Sequence, residues 1–234
     1  MSLDFSPIGL VHSPFKEKFG VPRQPGIASA ARATLELLPP YDREDALEGL
    51  SGFSHVWLVF VFHATAAQGW QARVRPPRLG GNARVGVFAS RSMFRPNPIG
   101  LSVVELAGYG REAGRLVLHL KGVDLIDGTP VLDIKPYVPY ADSRPDARGG
   151  YAAAAPAATL TVLFTPEAEA DVMARSHAYP QLRELIVQLL GADPRPAYHA
   201  EDHDRRTYGM RLWDFDLRWR VEENRAVVVS LDER

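Results

Sequence analysis

The stretch Ala89–Ser102 reads ASRSMFRPNPIGLS, and its residue types suit one kind of chemistry. Pro96 and Pro98 fix φ, remove an N–H each, and push the residues before them, Arg95 and Asn97, toward extended backbone. A segment this stiff loses little entropy when its side chains engage a ligand. An asparagine carboxamide accepts hydrogen bonds without being a strong base. With a neighbouring backbone carbonyl it can hold the N–H groups of an exocyclic base amine and steer that amine's delocalised lone pair toward an electrophile. Asn97, Pro98 and Arg95 are the candidate catalytic residues on this reasoning.

The charge around the stretch is one-sided. Between Gly49 and Val104 there is no Asp, Glu or Lys, yet Arg73, Arg75, Arg78, Arg84, Arg91 and Arg95 fall in that window. Arginine's planar fork suits phosphate, carboxylate and stacked bases better than a lysine ammonium does. The chain of 234 residues carries a net charge of only −1. That excludes a globally basic nucleic-acid binder and leaves a local patch open. The absence of cysteine rules out disulfides, thiolate nucleophiles and Cys-ligated zinc. No apolar run approaches the ~18–20 residues that cross a bilayer, and MSLDFSPIGL lacks the basic and long apolar regions of a signal peptide. The expectation is a soluble cytoplasmic protein with no membrane partner. His199 and His203 in YHAEDHD stand four apart. The acids around them mark a solvated loop, and no metal is expected.

Strands must position these residues. Apolar and alternating runs at Phe5–Val11, Phe53–Phe62, Arg84–Ala89, Leu101–Ala107, Arg115–Leu120, Pro130–Lys135 and Thr159–Phe164 are rich in β-branched and aromatic residues. Turn signals separate them, among them Leu79–Asn82, Gly108–Gly110 and Asp127–Pro130. Short strands with few helices between them predict a barrel or sandwich rather than βαβ units. Neither GxGxxG nor a Walker motif is present. Ser143–Ala158, rich in Ala, Gly and Pro, reads as a joint, after which Thr159–Phe164 is expected to return to the first domain's sheet. Pro166–Arg175 and Pro180–Leu190 read as helices, each with Pro in the first turn, the second ending at Gly191. Tyr208–Leu212, Phe215–Val221 and Ala226–Leu231 read as strands. The predicted organisation is mainly β: a catalytic domain over 1–165 and a small α+β domain over 166–234.

Several long segments resemble one family. They are FKEKF with PRQPG (Phe15–Phe19, Pro22–Gly26), FSHVW (Phe53–Trp57), VRPPRLGGNARVGVFA (Val74–Ala89), SRSMFRPNPIGLS (Ser90–Ser102) and DLIDGTPVLDIKPYVPYADS (Asp124–Ser143). With DPRPAY and WDFDLRWRV in the C-terminal third, the chain resembles the TrmO/TsaA-like tRNA methyltransferases nearly end to end. The resemblance implies a single β-barrel methyltransferase domain that works as a homodimer. It also implies S-adenosylmethionine as cofactor, and methylation of N6 of threonylcarbamoyl-adenosine at position 37 in the anticodon stem-loop of certain tRNAs. Two rival readings are a methyltransferase for a small molecule or protein, and a non-catalytic barrel that binds RNA or nucleotides.

Carried over residue by residue, the resemblance places the cofactor near Pro22, Arg23, Gln24, His63, Arg91, Leu101 and the run Asp124, Leu125, Ile126, Asp127. Arg23 or Arg91 would take the methionine carboxylate in a bidentate pair. Asp124 or Asp127 would accept from ribose hydroxyls or the adenine amine, although Asp127 before Gly128 is also a turn signal in its own right. Leu101 would pack on adenine. Tyr137 and Tyr140 are candidates to stack on a base drawn out of the anticodon loop.

Overall fold

Alternate burial along short segments defines the architecture of the first two-thirds of the chain. In the computed structural model, residues 3–80, 82–156, 158–195 and 206–234 are described. Six strands form the barrel: β1 (Gly9–His12), β2 (Arg32–Leu37), β3 (His55–Val61), β6 (Ile99–Glu112), β7 (Arg115–Lys121) and β8 (Thr129–Pro136). Two two-residue strands, β4 (Arg73–Val74) and β5 (Val85–Gly86), pair with each other to form an arm outside the barrel. The barrel order is β1-β2-β7-β6-β3-β8, and β8 pairs back to β1, so the sheet closes. Every neighbouring pair is antiparallel. The inward positions, among them Val11, Leu35, Leu58 and Leu118, are wholly buried.

Closure depends on one bent strand. The first half of β6 pairs with β3 and the second half with β7, with a bulge between Leu106 and Gly108. Gly108 sits there at φ +140, where a side chain would be strained. A bulge of this kind turns a strand around a barrel corner.

The C-terminal third forms a second, four-stranded sheet ordered β10-β11-β12-β9. Its members are β9 (Thr161–Phe164), β10 (Thr207–Leu212), β11 (Phe215–Glu222) and β12 (Arg225–Glu233). Here an expectation fails. Thr159–Phe164 does not return to the first sheet: β9 runs parallel to β12, pairing Arg225 with Thr161 through Val228 with Phe164. Parallel neighbours need a long crossover, and the two helices and the β10–β11 hairpin supply it. The short helices α1 (His63–Ala66) and α2 (Pro139–Asp142) flank the barrel, while α3 (Pro166–Arg175) and α4 (Leu182–Gly191) cover the second sheet. Thr165 caps α3 by accepting from Ala168 N, as an N-cap threonine should. Arg84–Ala89, expected as a strand, extends only over Val85–Gly86 before a 3₁₀ turn.

The two sheets share one core. It runs from Val11, Leu35 and Leu58 in the barrel to Phe215, Trp219 and Ile186 in the C-terminal part. Phe15, only 1% exposed, forms the bridge, pairing its backbone with Leu212.

Candidate active site

β6 leaves the loop of interest through Ile99 and Gly100, and its alternation separates two neighbours. Leu101 faces outward at 54% exposure, whereas Ser102 faces in at 2%. The inward Ser102 meets the segment after β7: its Oγ donates to Asp124 Oδ1 at 2.7 Å. Asp124 is partly withdrawn from water. Burial pushes its carboxyl up to about 6, against the opposing pulls of the Ser102 hydroxyl and the Arg91 positive charge. A carboxyl poised this close to neutrality is typical of ligand sites and costly to keep for stability alone.

Arg91 reaches the same place from the loop and donates through Nη1 to Gln24 Oε1. Gln24 is held there by the backbone, because Gly26 N donates to Gly122 O at 2.8 Å, two residues before Asp124. Gly122 has φ +67, and a Cβ on it would stand 3.2 Å from Gly26 Cα. The close approach therefore favours glycine at 122, whereas Gly26 has open space around it and is set by its φ of +78. Three segments far apart in sequence thus meet at Gln24, Arg91 and Asp124. Pro22 is buried, and Arg23 is exposed. Among the described residues neither Arg23 nor Arg91 has a carboxylate within ion-pair reach, so both guanidinium groups are available to an anion.

The rest of the loop is braced rather than free. Arg95 donates through Nη1 to Ser90 O at 2.8 Å and Val87 O at 3.2 Å, and lies 5.8 Å over the Phe88 ring. Its charge ties the loop's entrance to its middle. Pro98 O accepts from Phe62 N at 2.7 Å, which docks the loop's exit on the end of β3 next to His63. His63 is exposed. Asn97 O accepts from Ile99 N at 2.7 Å, leaving the Asn97 carboxamide exposed and without a partner among the described residues.

The remaining candidates are placed differently. Asp127 lies away from the Arg91 cluster: Ser13 N donates to its Oδ1 at 3.0 Å and Lys16 Nζ to its Oδ2 at 2.6 Å. Leu125 is 2% exposed in the core, with its carbonyl accepting from Ser13 Oγ. Ile126 O accepts from Thr129 Oγ1. Sequence reading did not single out Ser102, the partner of Asp124. It lies inside the quoted motif, and strand alternation from the exposed Leu101 is the signal that finds it. The His199–His203 pair lies outside the described residues. Among the described residues no group of three or more His, Asp or Glu side chains is arranged to hold a metal ion, and no helix is long and apolar enough to cross a membrane.

Comparison with known proteins matches both halves of this architecture. Residues 10–143 match the model of the tRNA-methyltransferase O N-terminal domain, and residues 157–234 that of the TrmO C-terminal domain. The chain belongs to the TrmO family. It is 51% identical over 233 residues to the tRNA (adenine(37)-N6)-methyltransferase of Escherichia coli K12, covering 100% of this chain and 99% of that protein. It is 54% identical over 220 residues to a Pseudomonas aeruginosa protein described as the putative S-adenosylmethionine-dependent methyltransferase RcsF, covering 94% and 93%. A crystal structure of TrmO from P. aeruginosa aligns with a TM-score of 0.82 at 46% identity, over 100% of this chain and 98% of that one. Similarity to TrmO thus extends through the C-terminal sheet as well as the barrel.

Proposed function

We propose that this protein transfers a methyl group from S-adenosylmethionine to N6 of adenosine-37 in tRNA, and that the base it accepts is threonylcarbamoyl-adenosine. The observation that carries the reading is the meeting of Gln24, Arg91 and the part-buried Asp124–Ser102 pair beside a loop that presents an Asn97 carboxamide with no partner among the described residues. Membership of the TrmO family supports it.

The residues present fit the cofactor's chemistry. Arg91 and Arg23, without carboxylate partners among the described residues, suit its methionine carboxylate. Asp124, fixed by Ser102, suits its hydroxyl or amino donors, and the outward Leu101 suits the apolar face of adenine. When bound, S-adenosylmethionine supplies a methyl group already activated on a sulfonium, with a neutral leaving group. Little covalent help is then asked of the protein, and alignment carries most of the work. Asn97 accepts from the N6–H and so orients the amine. Pro96 and Pro98 stiffen the backbone on either side of Asn97, which stands at a bend closed by the Ile99 N–Asn97 O bond rather than in the extended backbone expected from the sequence. Arg95 and the Phe62–Pro98 bond keep the loop's two ends in place, so Arg95 acts as a positioning residue. The exposed Ile99 and Leu101 of β6 suit a second copy of the chain, and we take the working unit to be a homodimer.

The experiment is nucleoside mass spectrometry after incubating the purified protein and cofactor with tRNA that carries threonylcarbamoyl-adenosine, and with the same tRNA lacking it. A gain of one methyl mass on the modified nucleoside alone is expected. Methylation of plain adenosine alone overturns the finer substrate, and no gain on either tRNA overturns the activity.

A further inference from the structure

The arm formed by β4 and β5 does no work in the site described above, yet it carries much of the arginine-only window. Arg73, Arg75 and Arg84 are all exposed. Among the described residues none has a carboxylate within ion-pair reach; Arg73 makes only a 3.5 Å contact to the Arg84 carbonyl. Their guanidinium groups are not scattered. With Gln71, Ser92 and Phe94 they line one open groove of about 330 Å³, near the small end of the ~300–1,000 Å³ usual for ligand sites. Three like charges around one concavity repel each other. With no acid near them in sequence and no carboxylate within ion-pair reach among the described residues, an anion from outside would relieve the repulsion.

The groove is also fixed relative to the reaction site. Gln71 N donates to Phe94 O at 3.1 Å, and Val87 N donates to Ala72 O at 3.0 Å. The loop that holds Arg91 and Asn97 therefore forms one wall of the groove and the arm forms the other. Two large aromatic side chains, Trp70 at 57% and Phe88 at 76% exposure, stand just before β4 and just after β5, at the base of the arm. Guanidinium groups in a groove with open aromatic rings beside it suit a ribose-phosphate chain with bases available for stacking.

We propose that the Arg73–Arg75–Arg84 groove holds the phosphate backbone of the tRNA substrate, positioning the anticodon loop so that its target base lies at Asn97. The proposal rests on the tRNA reading above. These arginines are positioning residues: they touch backbone phosphates and carry no base specificity.

The test compares wild type with the triple variant R73A/R75A/R84A and its charge-preserving counterpart R73K/R75K/R84K. Binding of unmethylated tRNA is measured against salt concentration, alongside cofactor affinity, sedimentation and steady-state kinetics. Each lost phosphate contact removes roughly 0.7–0.9 from the slope of log K against log salt. The alanine variant is expected to show a slope shallower by about 2, tRNA affinity weaker by about tenfold or more at 0.15 M salt, and a raised KM. Its cofactor affinity stays at the wild-type value, and the lysine variant keeps most of the slope. An unchanged slope and KM overturns the proposal. So does a variant whose sedimentation shifts to a different oligomeric state while its salt slope stays at the wild-type value, since the groove is then a protein interface. Failure of the underlying reading is distinguishable, because wild type itself would then not methylate tRNA.

Discussion

At the scale of single residues the site contrasts one costly group with several inexpensive ones. Asp124 is the costly one. Its carboxyl is raised to about 6 by burial, so between its ordinary value near 4 and 6 the folded protein binds more protons than the unfolded chain. Stability therefore falls as pH rises through that window, by at most about 3 kcal/mol. Asp124→Asn keeps the shape and removes that cost. Its Tm is expected to exceed wild type at pH 7.5, with the gap closing near pH 4, while its cofactor affinity drops and loses the step near pH 6. Thermal melts and calorimetric titrations across pH read both; a variant melting below wild type at pH 7.5 contradicts the account. Arg91→Ala is expected to weaken cofactor binding, whereas Asn97→Ala lowers kcat by about tenfold or more with cofactor affinity little changed. Equal loss in both parameters for Asn97→Ala refutes its orienting role. Much of this was legible from residue types: two prolines around an asparagine, and arginines without acids. What was not legible is which partner each charge takes. Arg95 spends its charge on carbonyls of its own loop, and Asp127 on Lys16 and Ser13, because those contacts exist only once the chain is folded.

At the scale of elements, closure of the barrel fixes where the loop can go. Gly100 illustrates it. A Cβ there would stand 2.2 Å from the nearest atom of the Phe60 ring. That ring is 4% exposed and packs edge-on against Phe62 at 5.1 Å, so it has nowhere to move. The ring and the Phe62–Pro98 hydrogen bond together set the height of Asn97 above β3. Gly100→Ala is expected to cost about 1–3 kcal/mol, lowering Tm by several degrees, and to reduce kcat by moving the loop. A melt and turnover equal to wild type indicates that the backbone there is free to shift. The strands around the loop were readable from β-branched runs, but β2 was not. Apart from Thr34, its sequence RATLEL is made of residues that favour helices, and pairing with β1 and β7 makes it a strand. β9 was readable as a strand and misplaced as to sheet, because parallel pairing leaves no local signal of its partner.

At the scale of the whole molecule, the C-terminal sheet acts as the support for the loop that carries Pro22–Gln24. Phe19 stacks on Trp219, with ring centroids 5.9 Å apart and planes 10° from parallel. Trp219 is wholly buried, with Tyr208 stacked 5.7 Å from it. Arg211 N donates to a Glu17 carboxylate oxygen at 3.0 Å, and Gly20, at φ +89, leaves room for Met210. The loop from Phe15 to Gly26 therefore leans on β10 and β11 before its far end reaches Gly122 and Arg91. Two consequences follow from the shared core. Barrel and C-terminal sheet should unfold in one transition, so tryptophan fluorescence, to which Trp57 in the barrel and Trp213 and Trp219 in the C-terminal part contribute, and far-ultraviolet circular dichroism should report the same midpoint. Phe19→Ala, which deletes the stacked ring at a partly buried site, should weaken cofactor binding several-fold through Gln24, with a stability loss of about 3 kcal/mol or less. Denaturant melts measure the second quantity and titration calorimetry the first. Loss of stability with cofactor affinity intact means that the C-terminal sheet only stabilises the barrel. Loss of affinity at a temperature where the variant is fully folded means that it also shapes the site, by fixing a loop that the barrel alone holds at one end.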